Sequence, residues 1–198
     1  MKTIGLLGGM SWESSIEYER IINTEVRRRL GGVHSADLLI RSYDFDGIEA
    51  LQLQGEWNRA GALLATDAAR LEAAGADLIV LATNTMHKVA PQIEAAITIP
   101  FLHIADATAD AVHRAGIESV ALLGTLYAME QDFYRGRLEE RGLEVVIPTV
   151  VDRAYINDVI FDELVRGLIV EASKERLLLI INGLYEQGAD GVIAGCTE

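Results

Sequence analysis

The chain has 198 residues, 50% of them hydrophobic and 24% charged, enough for one large or two small globular cores. Its formal net charge of -13 argues against a nucleic-acid partner, because phosphate binding needs a basic face. No apolar run reaches the roughly 18 residues that cross a bilayer. A single cysteine allows no internal disulfide, so the expectation is a cytoplasmic protein without a membrane partner.

Taken in order, "MKTIGLLGGMSW" lacks a signal-peptide cleavage site and reads as a first strand. The basic cluster Arg27-Arg28-Arg29 suits a helix end, where it complements the dipole. "EWNRAGALLATDAARLEAAG" places Ala60, Leu63, Leu64, Ala68 and Leu71 on one helical face and stops at Gly75. "DLIVLAT" then reads as a strand buried on both faces, as parallel strands are. Pro100 opens a short strand in "ITIPFLHIA". The same helix, glycine, strand order recurs at Gly116 before "SVALLGT", Gly142 before "EVVIP" and Gly188 before "GVIAG". Such alternation predicts a parallel-sheet α/β architecture.

Two internal matches point to duplication. Gly75-Ala76-Asp77 recurs as Gly188-Ala189-Asp190, 113 positions on, which sets Thr83 against Cys196, Asn84 against Thr197 and Thr85 against Glu198. "TIGLLGGMS" matches "SVALLGTLY", with Gly8 against Gly124 at an offset of 116. Two similar parallel-sheet α/β halves related by a pseudo-two-fold are expected, residues 1–100 and 101–198, with the active site in a cleft between them. Ligands of open parallel sheets bind at the carboxyl ends of the strands. A thiol and a hydroxyl at such ends, on opposite faces of one carbon, is what stereochemical inversion requires.

"ATNT" with "GCTE", together with "GLLGGMSWES", resembles the aspartate/glutamate racemase family over the whole chain. "GGMSWES" and "TNTMHK" are most similar to its branch of aspartate/glutamate and broad-specificity racemases. The resemblance implies a cofactor-independent isomerase of amino acids, with a small-molecule substrate and a homodimeric assembly. Members usually carry cysteine in both strand-end motifs. Here Cys196 matches the second, while Thr83 stands where the first belongs. By resemblance the second cysteine serves the L-substrate, so Cys196 is the expected base and Thr83 the group that reprotonates. A thiol with a pKa near 8.5 supplies a thiolate, whereas a threonine hydroxyl is far too weak an acid to do so. L to D is therefore the direction expected to be easier.

Candidate substrate-binding residues are Met10 and Ser11 in the glycine turn, Asn84, Thr85 and Thr197 beside the proposed catalytic pair, Thr125 after "ALLG", and Glu198. Gln52 stands in a segment where aspartate racemases of the family hold an arginine. Val165, with Arg166 beside it, stands where such enzymes place a lysine, so a neutral side chain is also an expected substrate. Related isomerases and a single-cysteine decarboxylase on the same scaffold, or a non-catalytic amino-acid-binding protein, are the alternatives. Relatives continue past the second motif with a helix that returns to the first half, a segment expected to be lacking here.

Other residues have plainer readings. A cysteine in an apolar strand is commonly a small core residue, and Thr83 is a natural helix cap. "GLLGG" is not G-x-G-x-x-G, which speaks against a dinucleotide loop. His103 and Asp106 have metal-like spacing without a third ligand, so no metal is expected. Lys88 alone does not mark a pyridoxal phosphate site. His87 either tunes the site or is structural, and Met10 and Trp12 suit packing.

Overall fold

The computed structural model describes residues 1–197 and divides into two compact units, Met1–His103 and Ile104–Glu198. The first runs β1 (Thr3–Gly8), α1 (Trp12–Leu30), β2 (Asp37–Ser42), α2 (Phe45–Leu53), α3 (Trp57–Ala73) and β3 (Leu78–Leu81). A 3₁₀ turn (Thr85–Val89), α4 (Ala90–Ala96) and the short β4 (Phe101–Leu102) complete it. All pairings are parallel, in the order β2-β1-β3-β4. β4 pairs with β3 and so belongs to the first unit.

The second unit holds α5 (Ile104–Arg114), β5 (Ser119–Gly124), α6 (Leu126–Glu130), α7 (Arg135–Glu140), β6 (Glu144–Val146) and α8 (Val150–Asp158). A π-helical turn (Val159–Glu163) and a 3₁₀ turn (Leu164–Arg166) lead on to α9 (Glu171–Glu186) and β7 (Gly191–Gly195). Its parallel order β6-β5-β7 repeats β2-β1-β3. The helix-ending Gly75 and Gly188 share a φ of 104°, a left-handed conformation that favours glycine. Arg27, Arg28 and Arg29 fall in the last turn of α1, where cations oppose the negative helix end.

Each unit has its own core. In the first, Ala60, Leu64, Ala68 and Leu71 of α3 pack under Leu7, Ile79 and Leu81. Leu63, expected on that face, is 37% exposed, because a helix turns about 100° per residue and Leu63 falls at the margin of the stripe. In the second, Val120, Ala121 and Leu122 of β5 pack with Leu138, Ile156 and Leu184. β7 alternates between buried and exposed rather than being buried on both faces, with Val192 37% exposed. It is an edge strand of its sheet. Met10 is core, whereas Trp12 is 60% exposed and the packing expectation for it fails.

One carboxylate is sealed into the first unit. Asp67 on α3 is 3% exposed and accepts from Arg41 at 3.0 Å and from Arg70 at 2.8 Å. Burial pushes its pKa up, but the hydrogen bonds from the two guanidiniums outweigh this and hold it below the ordinary 3.8. A depressed folded pKa contributes stability above the unfolded value, and that stability is lost as pH falls through the folded one. Urea denaturation should therefore show stability declining below about pH 4. Asp67→Asn should cost about 1–3 kcal/mol at neutral pH and make that acid limb shallower.

Candidate active site

Parallel pairing sends every carboxyl strand end of a unit to one edge. In the first unit Leu7 pairs with Leu81, and the Ala82 N–H donates to the Leu7 carbonyl at 2.8 Å. The segments Gly9–Ser11 and Ala82–Thr85 thus leave adjacent strands. Gly9 has a φ of 83°, and a Cβ there would lie 2.4 Å from the Tyr43 backbone nitrogen, so only glycine fits. Its N–H donates to Ser15 Oγ at 2.6 Å, and Ser15 Oγ in turn donates to the Ser11 carbonyl at 3.0 Å. The Met10–Ser11 peptide is cis, and the Ser11 hydroxyl lies 3.1 Å from that of Ser14.

β3 ends at Leu81, and the buried polar run Thr83-Asn84-Thr85 follows at 6%, 6% and 8% exposure. Thr83 is not the cap of the following turn; Asn84 holds that position, without a side-chain capping bond. Asn84 Oδ1 is buried with no hydrogen-bond partner among the described residues. An orphaned buried acceptor costs about 1–3 kcal/mol unless something donates to it. Gln52, on α2, is buried and its Nε2 donates to Met86 Sδ at 3.1 Å, which brings it to the same segment. Sequence reasoning left His87 undecided. It is 1% exposed, and its Nδ1 lies 2.7 Å from the Thr83 carbonyl oxygen. The signal was there, as a histidine four residues after the candidate threonine in "TNTMHK".

In the second unit Gly124 pairs with Gly195, so the segments after β5 and β7 also start side by side. Thr125 is buried, and its hydroxyl oxygen accepts from the Ala128 N–H at 3.3 Å as the cap of α6. Cys196 follows β7 directly and is half-buried, while Thr197 is exposed. Glu198 lies outside the described residues. Cys196 forms part of the wall of an apolar cavity of about 190 Å³, with Leu123, Ile160, Leu164, Ile181 and Val192. No sequence pattern announced this cavity, because its walls come from two strands, two helices and the irregular turns between them.

The remaining candidates are engaged elsewhere. Asp106 is held by Arg137 in a two-bond pair of 2.9 and 2.8 Å, and no cluster among the described residues suits a metal. Lys88 lies 4.0 Å over the Trp57 ring, and desolvation lowers its pKa. Arg166 faces Asp162 at 3.7 Å. No helix among the described residues is long and apolar enough to cross a membrane.

The Asp/Glu/hydantoin racemase family model matches residues 7–198. A candidate Asp/Glu racemase structure from Yersinia pestis is 52% identical, with a TM-score of 0.94 over 100% of this chain and 86% of that one. An aspartate racemase homologue from Pyrococcus horikoshii is 37% identical, with a TM-score of 0.83 and the same coverage of 100% and 86%. The broad-specificity amino-acid racemase RacX of Bacillus subtilis is 28% identical over 134 residues, 66% of this chain and 56% of RacX. The chain therefore matches little more than half the length of that curated relative.

The Gly124–Gly195 contact makes a test of how the second strand end is built. A Cβ on Gly124 would lie 2.7 Å from the Gly195 carbonyl oxygen, whereas one on Gly183 in α9 meets nothing within 4 Å. Gly124→Ala should cost about 1–3 kcal/mol in urea denaturation, and Gly183→Ala should be neutral or stabilising. Only the former should change the rate at which a thiol reagent labels the single cysteine.

Proposed function

This chain belongs to the Asp/Glu/hydantoin racemase family, and from that premise we propose that it is a cofactor-independent amino-acid racemase whose reacting groups are Cys196 and Thr83. The reading rests on one observation. The two side chains follow equivalent strands, β3 and β7, of two parallel sheets that repeat the same strand order.

In the proposed reaction the Cys196 thiolate takes the α-proton of the L-amino acid. The C–H bond breaks, its electron pair passes into the carboxylate as an enolate, and the proton resides on sulfur. The Thr83 hydroxyl then delivers its proton to the opposite face, forming the new C–H bond, and recovers a proton from solvent as the thiol loses its own. The orphaned Asn84 Oδ1 is an acceptor for the substrate ammonium, and the buried hydroxyls of Ser11 and Thr85 belong to the same carboxyl edge. Neighbouring strand-end N–H groups suit the carboxylate.

For the side chain, the described surroundings favour breadth over a strict second carboxylate. Gln52 is an amide engaged with Met86, Val165 carries no charge, and the cavity wall at Cys196 is apolar. A bare carboxylate buried there would meet no cation among the described residues that line the cavity. Uncharged amino acids are therefore proposed substrates alongside aspartate and glutamate.

Proton NMR in deuterated water, with L- and D-amino acids tested separately, checks the assignment. The wild type should exchange and invert the α-position. Cys196→Ala should lose at least about 100-fold, and Thr83→Ala should lose inversion by a similar factor. Mirror-image substrate and product have equal free energies, so kcat/KM is the same in both directions and any asymmetry must appear in saturated turnover. Thr83→Ala should still exchange the α-proton of the L-substrate through Cys196 without inverting it. Loss of that exchange together with inversion would refute the division of labour, and no exchange with any amino acid would refute the racemase reading.

A further inference from the structure

Thr83 cannot act as a proton donor unless its side chain is aimed, and in the first unit one residue holds the backbone that aims it. Two successive carbonyls of the Thr83–Asn84 turn end on His87. The Asn84 carbonyl accepts from the His87 backbone N–H at 3.0 Å, and the Thr83 carbonyl lies 2.7 Å from His87 Nδ1. A carbonyl oxygen only accepts, so Nδ1 carries the hydrogen and the tautomer is set by this contact.

The imidazole is itself confined. It is 1% exposed, with the Phe101 ring of β4 at 5.6 Å and the buried His103 ring edge-on at 4.5 Å between centroids. The 83–84 peptide is trans, so drawing the Thr83 carbonyl toward His87 turns the Asn84 N–H the opposite way. One side-chain hydrogen bond thereby holds the peptide plane that leaves Thr83 and the direction of a neighbouring backbone donor. Without it, the peptide plane between strand and turn could rotate.

We propose that His87 is a positioning residue for Thr83: it acts on the reprotonation half of the inversion through the Thr83 carbonyl and leaves abstraction by Cys196 untouched. The proposal rests on the racemase reading above. It differs from a simple packing role in predicting that one half-reaction suffers and the other does not.

The two halves separate with β-chloro-L-alanine. Elimination from it needs only the L-side base: Cys196 takes the α-proton, the C–H pair becomes the Cα=Cβ bond, and chloride leaves with its bonding pair. The resulting 2-aminoacrylate hydrolyses to pyruvate and ammonium, which coupled assays read. Inversion of the best amino-acid substrate, read by polarimetry, needs both groups. The variants are His87→Gln, whose amide reaches the Nε2 position, and His87→Asn, whose amide nitrogen stands in for Nδ1.

The Gln variant should lose about 10- to 100-fold in inversion while pyruvate formation stays within about threefold of wild type, and Asn should restore most of the inversion. Parallel loss of both reactions, or inversion unchanged in the Gln variant, would overturn the assignment. If the Gln variant does not fold, the Asn variant decides alone: inversion near the wild-type rate supports the proposal, and joint loss of both reactions sinks it. Wild-type protein that eliminates chloride but inverts nothing would overturn the racemase reading, and this assignment with it. Cys196→Ala should abolish pyruvate formation throughout.

Discussion

The hydrogen-bonded register of the two central strand pairs is the constraint from which the candidate site follows. Leu7 beside Leu81, and Gly124 beside Gly195, oblige the turns that follow to start as neighbours within their units. Parallel pairing allows no other outcome, since all carboxyl ends of such a sheet leave by one edge. The constraint is tight enough to dictate residue type. At Gly124 the facing backbone leaves no room for a methyl group, and at Gly9 both the space and the φ demand glycine. Thr83 and Cys196 are therefore placed by main-chain geometry before their own chemistry is considered.

What distinguishes the edge of the first unit from its core is the cost of polar burial. Ser11, Gln52, Thr83, Asn84, Thr85 and His87 are all below a tenth exposed. Each buried polar group left unpaired costs about 1–3 kcal/mol, so such a concentration is tolerated only where partners are supplied. Met86 takes the Gln52 amide, and the Thr83 carbonyl takes His87. Asn84 Oδ1 keeps its deficit among the described residues. In the core below, built mainly from leucine, isoleucine, valine and alanine, the buried carboxylate of Asp67 is neutralised by two arginines.

Most of the fold was legible because it is written in local chemistry. Gly75 and Gly188 end matched helices, and their identical φ of 104° reflects one backbone requirement met twice by the only residue without a Cβ. The apolar runs after them became strands, and the offset between copies located Thr83 and Cys196 at equivalent ends. Legibility failed where burial depends on neighbours distant in sequence. Leu63 and Trp12 are apolar yet exposed, and β7 alternates because an edge strand is not covered as a central one is. Hydrophobicity measures what a residue prefers, not which side of it the fold leaves open. His87 was visible in the motif, but its role depends on a carbonyl one turn back and on rings from β4 that pattern alone does not bring near.

A hydroxyl at Thr83 and a thiol at Cys196, after equivalent strands, make different demands on the scaffold. A thiolate is reactive once formed, and its large, polarisable sulfur tolerates some freedom of approach. A hydroxyl is a much weaker acid, so its proton moves usefully only along a short, aligned path to a strongly basic carbanion. Precision must then come from the surroundings. In the first unit it is available: the turn after β3 is buried, and two of its carbonyls are tied to one residue, that of Thr83 to the confined His87 imidazole and that of Asn84 to the His87 backbone N–H. In the second, Cys196 follows an edge strand whose side chains alternate between cover and exposure. Under the proposed assignment, the same strand end, copied within one chain, carries an acid that depends on alignment in one place and a base that depends on ionisation in the other.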